Sequence, residues 1–102
     1  MLEINTQEEL NALLEKGPVV LDFYAAWCAP CKQLVPILES VEENNSDITF
    51  AKCNVDSAHD LAVKYHVNAI PQINFFKNGE NVHTVVGMQA NIQDTIDNIL
   101  KG

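Results

Sequence analysis

The sequence contains no arginine, so its six basic residues are all lysines, and 14 acidic residues give it a formal net charge of -8. Nucleic acids, phosphate-rich ligands and anionic membranes are bound mainly through clusters of positive charge. This composition therefore argues against all three as partners. No stretch of 18 consecutive apolar residues is present, and the first residues lack the basic and apolar segments of a secretory signal. We therefore expect a cytoplasmic protein that does not enter the membrane.

Cysteine, glycine and proline are also scarce, with three, four and four residues respectively. An odd number of cysteines is unlike the disulfide framework of a small secreted protein. A hydrophobic fraction of 47% in 102 residues is enough for one modest core and too little for two. The composition thus predicts a single domain over residues 1–102, with a monomer as the default state at this size.

Two of the cysteines stand three positions apart in the segment Trp27-Cys28-Ala29-Pro30-Cys31. An apolar run precedes this segment and a helical pattern follows it, so the cysteines lie where a loop becomes a helix. Residues three apart on a helical turn are about 5 to 6 Å apart at Cβ, which is close to disulfide geometry. A thiolate at a helix N-terminus also faces unpaired N–H groups, which lowers the pKa of the first thiol. We therefore predict Cys28 as an exposed attacking thiol and Cys31 as the resolving thiol.

The rest of the chain alternates strand and helix signals. We predict strands over residues 2–4, 19–25, 48–55, 72–77 and 81–86, a helix from the cysteines to about Glu43, and helices capped by Thr6 with Glu9, Ser57 with Asp60, and Asn91 with Asp94. The strand over 19–25 is almost wholly apolar and should be central in the sheet. Pro36 falls inside the second helix, whose apolar stripe continues across it, so one kinked helix is expected. Asn78-Gly79 should join the last two strands as a hairpin.

This order of elements is β-α-β-α-β-α-β-β-α. It predicts an α/β protein in which a central mixed β-sheet is flanked by helices on both faces. Right-handed crossovers should make the first three strands parallel wherever they are neighbours, whereas the hairpin strands should be antiparallel.

Three segments in this order resemble the thioredoxin family, and the resemblance covers essentially the whole chain. They are the block from Asp22 to Lys32, the loop Ala69-Ile70-Pro71, and the hairpin Phe76-Lys77-Asn78-Gly79 with the following Gly87. The resemblance implies a thioredoxin-like fold and general reduction of disulfide-containing proteins, with no cofactor or metal in this chain. It also implies that a flavin-dependent, NADPH-using thioredoxin reductase regenerates the reduced state.

In the mechanism implied by this resemblance, Cys28 attacks a substrate disulfide and Cys31 resolves the mixed disulfide. Asp22 is the candidate proton acceptor for Cys31, because burial of a carboxylate inside the central strand should raise its pKa. The alternative is an aspartate that is hydrogen-bonded for packing alone. Lys52 matches a family lysine that neighbours this aspartate, and the alternative is a surface lysine at a strand end.

The resemblance also implies a shallow apolar groove for an extended substrate segment, flanked by Trp27, the Ile70 backbone and the Gly87-Met88 loop. Trp27 would expose its ring beside Cys28, and its alternative is a core residue. Pro71 is predicted to be cis and to face the dithiol, where it would keep a competing metal away. Without the family, a trans turn proline would be expected.

Three positions depart from the family pattern. Ala29 replaces the usual glycine beside the supporting residue Pro30, and this loss of backbone freedom should shift the reduction potential. Tyr24 stands where many members have tryptophan, and Gln72 stands where threonine is common. Both bear on the polarity of the groove and on substrate preference.

Two function classes besides a dithiol reductase stay open. One is a zinc site built from Cys28, Cys31, Cys53 and a histidine, and the other is a redox-inert adaptor that uses the fold as a binding surface. Zinc is disfavoured because a structural site needs a second close pair of ligands, which the sequence does not provide. Cys53 falls inside a predicted strand and is expected to be a buried hydrophobic residue.

Overall fold

The structure, a computed structural model, describes residues 1–89 and 91–102. Its strands are β1 (Leu2–Glu3), β2 (Val19–Tyr24), β3 (Thr49–Asn54), β4 (Gln72–Lys77) and β5 (Glu80–Val86). Its helices are α1 (Gln7–Leu14), α2 (Ala29–Glu43), α3 (His59–Lys64) and α4 (Ile92–Thr95), and α4 continues as a π-helical turn over Ile96–Leu100. The element order is the predicted one. Within the described ranges, no helix is long and apolar enough to cross a membrane.

The five strands form one mixed sheet in the order β1-β3-β2-β4-β5. β3 is parallel to both β1 and β2, whereas β4 is antiparallel to both β2 and β5. The central position of β2 confirms the prediction from its apolar run. Asn78 and Gly79 have φ angles of 55° and 81°, as the predicted tight hairpin between β4 and β5 requires.

The sheet divides the core into two layers because alternate side chains of a strand point to opposite faces. Leu21 and Phe23 of β2 pack in the layer of α1 and α3. Val20 packs in the layer of α2 and α4. Asp22 lies on the same face of β2 as Val20, so its carboxyl group points toward the layer that contains the helix following the cysteines.

The first two helices form as their sequences predict. The capping box at α1 is present, since the Thr6 hydroxyl accepts from the Glu9 N–H at 3.1 Å and the Glu9 carboxylate accepts from the Thr6 N–H at 3.1 Å. α2 runs as one helix through Pro36 and buries Leu34 and Leu38. The dithiol segment is therefore followed by a continuous helix of 15 residues.

The predicted cap of α3 at Ser57 is wrong. The chain makes a turn here that is closed by a hydrogen bond from the Ala58 N–H to the Asn54 carbonyl oxygen, so the helix begins only at His59. No side chain caps α3. Asn91 does precede α4 as predicted, but its side chain makes no capping bond, and its backbone carbonyl accepts from the first turn instead.

Candidate active site

The cysteine pair lies at the first turn of α2, directly after the carboxyl end of the central strand β2. Cys28 is the N-cap residue, with φ -90° and ψ 106°, and its Sγ accepts a hydrogen bond from the Cys31 N–H at 3.2 Å. Pro30 fits in the first turn because its missing N–H would have no helical partner there. Cys28 and Cys31 are joined by a disulfide, with their Cα atoms 5.3 Å apart.

The prediction that Cys28 is exposed is wrong for this oxidised state. Cys28 is 5% exposed and Cys31 is 2% exposed, and both form a small buried cluster with Ala25. Tyr24 and Ile70 pack against this cluster. The Cys28 sulfur is bonded to Cys31 and lies against these apolar neighbours, and Cys28 is the more exposed residue of the two.

Asp22 is the one carboxyl group in the interior of the central strand. It is 1% exposed, and its Oδ1 has no hydrogen-bond partner among the described residues. Burial raises the pKa of Asp22 from 3.8 to about 7, while the positive charge of Lys52 lowers it and the negative charge of Glu3 raises it. The expected rise of this pKa is therefore confirmed. Hydrogen bonding for packing does not explain an oxygen that is buried without a partner.

Lys52 lies on β3 directly opposite Asp22 in the register of β2 and β3. Its side chain is partly exposed, with Nζ 4.0 Å from the Glu3 Oε1 and 5.6 Å from the centre of the Tyr24 ring. Lys52 is thus neither a free surface lysine nor a close ion-pair partner of Asp22. It acts on Asp22 through its charge.

The Ile70–Pro71 peptide bond is cis, as predicted. The loop is tied to the end of the hairpin, because the Gly87 N–H donates to the Pro71 carbonyl oxygen at 2.8 Å. Gly87 has a φ of 92°, which favours glycine. Ile70 packs against the cysteine cluster, so the loop, the hairpin end and the disulfide lie at one end of the molecule.

A shallow apolar cavity of about 380 Å³ shares Val55 and Ile70 with the side chains that pack against the cysteine cluster. It is lined by Trp27, Val55, Val67, Asn68, Ala69 and Ile70. Trp27 is 71% exposed, which excludes its alternative role in the core. The structure therefore brings Trp27 and Ile70 together as predicted. Gly87 and Met88 are not part of this lining. Gly87 is hydrogen-bonded to Pro71, and the side chain of the following residue, Met88, is exposed.

Asp56 is a residue of this site that the sequence reasoning missed. Its Oδ2 accepts a hydrogen bond from the Trp27 indole Nε1 at 2.9 Å, which fixes the ring beside the cavity. A signal was available, because Trp27 follows the end of β2 and Asp56 follows the end of β3. Neighbouring parallel strands place the residues after their carboxyl ends at the same edge of the sheet.

The third cysteine lies elsewhere. Cys53 is fully buried on β3 in the layer of α1 and α3, is not disulfide-bonded, and has a thiol pKa that burial raises to about 12. It therefore does not join Cys28 and Cys31 in one ligand set. Across residues 1–89 and 91–102, no group of three or more His, Cys, Asp or Glu side chains is placed to hold a metal ion.

Comparison with known proteins places this geometry in a family. The sequence matches the family model described as Thioredoxin over residues 1–101. It is 39% identical over 89 residues to a thioredoxin of Chlamydia caviae, covering 87% of each chain, and 42% identical over 79 residues to a thioredoxin of Streptomyces clavuligerus, covering 78% of this chain and 74% of that one.

The fold is similar to that of a solved mutant thioredoxin from Halobacterium salinarum, with a TM-score of 0.91, 36% identity, and coverage of 97% of this chain and 89% of that chain. These relatives, together with a disulfide at the C-x-x-C position, identify the molecule as a thiol–disulfide oxidoreductase that reduces protein disulfides. The chain belongs to the thioredoxin family.

Proposed function

We propose that Cys28 is the attacking thiol and Cys31 the resolving thiol of this reductase. The observation that supports these roles is the hydrogen bond from the Cys31 N–H to the Cys28 Sγ at the start of α2. In the reduced chain the same N–H and the positive end of the helix dipole would stabilise a thiolate at Cys28. Cys31 lies inside the first turn, and no corresponding N–H of the described residues donates to its sulfur.

The reaction then proceeds in two exchanges. The Cys28 thiolate attacks one sulfur of the substrate disulfide, the substrate S–S bond breaks, and the departing substrate thiolate takes a proton from solvent. Cys31 next transfers its proton to the Asp22 carboxylate, and its thiolate attacks Cys28 Sγ. The mixed disulfide breaks and releases the second substrate sulfur as a thiolate. Two electrons have passed from the dithiol to the substrate, and Cys28 and Cys31 are left as a disulfide.

Asp22 suits the role of proton acceptor because its pKa of about 7 lies near neutral pH. A carboxyl group with an ordinary pKa near 4 would be a much weaker base toward a thiol. Lys52, Pro30 and Pro71 are supporting residues in this proposal: Lys52 adjusts the charge near Asp22, Pro30 stiffens the first turn, and Pro71 shapes the loop beside the disulfide.

The cavity lined by Trp27 and Ile70 is the proposed binding site for an extended segment of the substrate. The Gly87-Met88 loop, which the Gly87 N–H ties to the Pro71 carbonyl oxygen, is proposed as a further contact for that segment. We further propose that a flavin-dependent thioredoxin reductase returns the chain to the dithiol form with electrons from NADPH. The chain would act as a monomer in the cytoplasm, where a reducing environment is compatible with the unpaired Cys53.

Equilibration of the purified chain with glutathione redox buffers tests the proposed function. We expect a reversible two-electron couple at a potential of about -270 mV, displaced by the extra methyl group of Ala29, and turnover of a protein disulfide when thioredoxin reductase and NADPH are supplied. A chain that binds zinc stoichiometrically in place of this couple would be a zinc module. A chain that turns over no protein disulfide with the reductase would be a redox-inert adaptor.

Replacing Trp27 with alanine should weaken substrate binding more than it weakens the fold. The ring is exposed and lines the proposed groove, so its loss should raise KM for a protein disulfide by about 10-fold, as for an aromatic contact at the centre of an interface. Urea unfolding should change by less than about 1 kcal/mol, because an exposed side chain contributes little to folding. Val63→Ala, which removes an exposed apolar side chain from α3, is the matched control. Equal KM values for the two variants would contradict the proposed groove.

A further inference from the structure

Three charged side chains stand side by side across three neighbouring strands. The register pairs Glu3 of β1 with Lys52 of β3, and Lys52 with Asp22 of β2. Residues paired in neighbouring strands point to the same face of a sheet. The row therefore runs from a negative charge at the sheet edge, through a positive charge, to a buried carboxyl group in the central strand. Lys52 stands between two carboxyl groups that compete for its ammonium group.

The contacts of Lys52 favour the edge of the sheet. Its Nζ is 4.0 Å from the Glu3 Oε1, and the Tyr24 hydroxyl donates to that same oxygen at 2.7 Å. The Lys52 Nζ also lies 5.6 Å from the centre of the Tyr24 ring, within the range of a cation–π contact. Burial and the neighbouring carboxylate raise the pKa of Tyr24 to about 12, so its hydroxyl stays protonated and can donate to Glu3 at neutral pH.

We propose that Glu3 is a positioning residue for the reaction: together with Tyr24 it holds the Lys52 ammonium group at the sheet edge, away from Asp22. Lys52 then stabilises the Asp22 carboxylate less than a close ion pair would, and Asp22 keeps the affinity for a proton that its role requires. This inference rests on the proposed function of Asp22 as proton acceptor. Tyr24 contributes a hydroxyl group that the usual tryptophan of the family lacks.

No charged side chain of α2, α4 or the π-helical turn is buried on this side of the sheet: Glu39 and Glu43 are exposed, and the partly buried Glu42 pairs with the N-terminal amino group at 3.3 Å. Opposite Asp22, β4 presents Ile73, and α4 contributes Ile92 to the same layer. α2 contributes the Cys28–Cys31 pair at its first turn, and its Lys32 is exposed, as are Asp94 of α4 and Asp97 of the π-helical turn. Burial is the largest cause of the raised pKa of Asp22, followed by Lys52 and then Glu3. The direct effect of the Glu3 charge on Asp22 is therefore the smallest of the three, and the proposed effect through Lys52 is additional to it.

The test is the variant Glu3→Gln, which keeps the shape of the side chain and removes its charge. The Lys52 ammonium group would then be free to approach Asp22, and the pKa of Asp22 should fall by about 0.5 to 1 pH unit, the size expected when one positive charge moves closer by about one strand spacing in a partly screened site. The measurement is an NMR titration of the Asp22 carboxyl carbon in the oxidised chain. Glu39→Gln, which removes one charge from the exposed face of α2, should leave this pKa unchanged.

A double-mutant cycle shows whether Glu3 acts through Lys52. In a Lys52→Met background, Glu3→Gln should shift the pKa of Asp22 by less than half as much as in the natural chain. An Asp22 titration that Glu3→Gln does not move, or a shift that is undiminished without Lys52, would overturn the inference.

The rate of substrate release tests the proposed role of Asp22 as proton acceptor independently of the inference about Glu3. In Glu3→Gln, its pH dependence should move to lower pH together with the titration of Asp22. If Asp22→Asn leaves the rate and its pH dependence unchanged, the proposed proton acceptor fails. The NMR titration still decides whether Glu3 sets the protonation of Asp22.

Discussion

Replacing Cys31 with serine should leave a chain that attacks one substrate disulfide and then stops. Cys28 can still form the mixed disulfide, but the resolving thiol one helical turn away is gone. A well-oriented intramolecular thiol can act at an effective concentration of about 10⁵ M. In the variant, an external thiol at millimolar concentration must resolve the mixed disulfide instead. Turnover should therefore fall by at least about 10³-fold. The measurement is insulin-type disulfide reduction coupled to NADPH consumption, with mass spectrometry of the trapped adduct.

Two control variants make this result specific. Cys28→Ser should lose turnover to the same extent but should form no adduct, because no attacking sulfur remains. Cys53→Ala should keep full turnover, because Cys53 is buried in the opposite layer of the core and is not bonded to the pair. An adduct formed through residue 31 in Cys28→Ser would reverse the proposed roles of the two cysteines. Adducts that Cys31→Ser traps in a cell extract would identify the natural substrates.

Replacing Asp22 with asparagine should slow the second exchange and stabilise the fold. A positioned general base contributes about 10²- to 10⁴-fold to a proton transfer, so we expect substrate release to slow by about 10²-fold at pH 7. Because the pKa of Asp22 is about 7, its carboxylate form increases between pH 6 and 8. Release from the natural chain should accelerate over this range, and release from Asp22→Asn should not. Stopped-flow measurement of mixed-disulfide decay checks both.

The stability effect follows from the same burial, which raises the pKa of Asp22 from 3.8 to about 7. Between these two values the folded chain keeps a proton that the unfolded chain has released, so stability is greatest below pH 4 and is lost as the pH rises through 7. The full loss is about 4 kcal/mol at most. Asparagine carries no charge and should remove this loss.

In urea unfolding, Asp22→Asn should therefore gain stability over the natural chain at pH 8 and gain little at pH 4. Glu39→Gln, an exposed change of the same kind, should show no such pH dependence. A difference between Asp22→Asn and the natural chain that stays constant from pH 4 to 8 would mean that folding does not raise the pKa of Asp22.

The features that local sequence patterns encode were predicted well. An apolar run without a polar side predicts a strand covered on both faces, and β2 is the centre of the sheet. The Asn78-Gly79 pair predicts a tight turn because both positions adopt positive φ. The C-x-x-C spacing predicts a pair that can close into a disulfide at the first turn of α2. Each of these depends on neighbours within a few residues along the chain.

The features that the sequence did not reveal depend on tertiary contacts. The hydrogen bond between Trp27 and Asp56 joins residues 29 positions apart, and it can be anticipated only once β2 and β3 are known to be parallel neighbours. The row of Glu3, Lys52 and Asp22 depends on the register of three strands, which no local pattern fixes. The burial of Cys28 depends on the side chains that cover the closed disulfide. The predicted Ser57 cap was wrong because Ser57 lies in a turn closed by the hydrogen bond from the Ala58 N–H to the Asn54 carbonyl oxygen.

The burial of Cys53 determines how many thiols can be modified in the folded protein. Its side chain lies within the sheet and has no exposed surface, and burial raises the pKa of its thiol to about 12. A reagent that modifies thiolates should therefore find two reactive groups per folded molecule after reduction and none after oxidation. The third group becomes available only when the strands separate, so the chain carries an internal marker of its own unfolding.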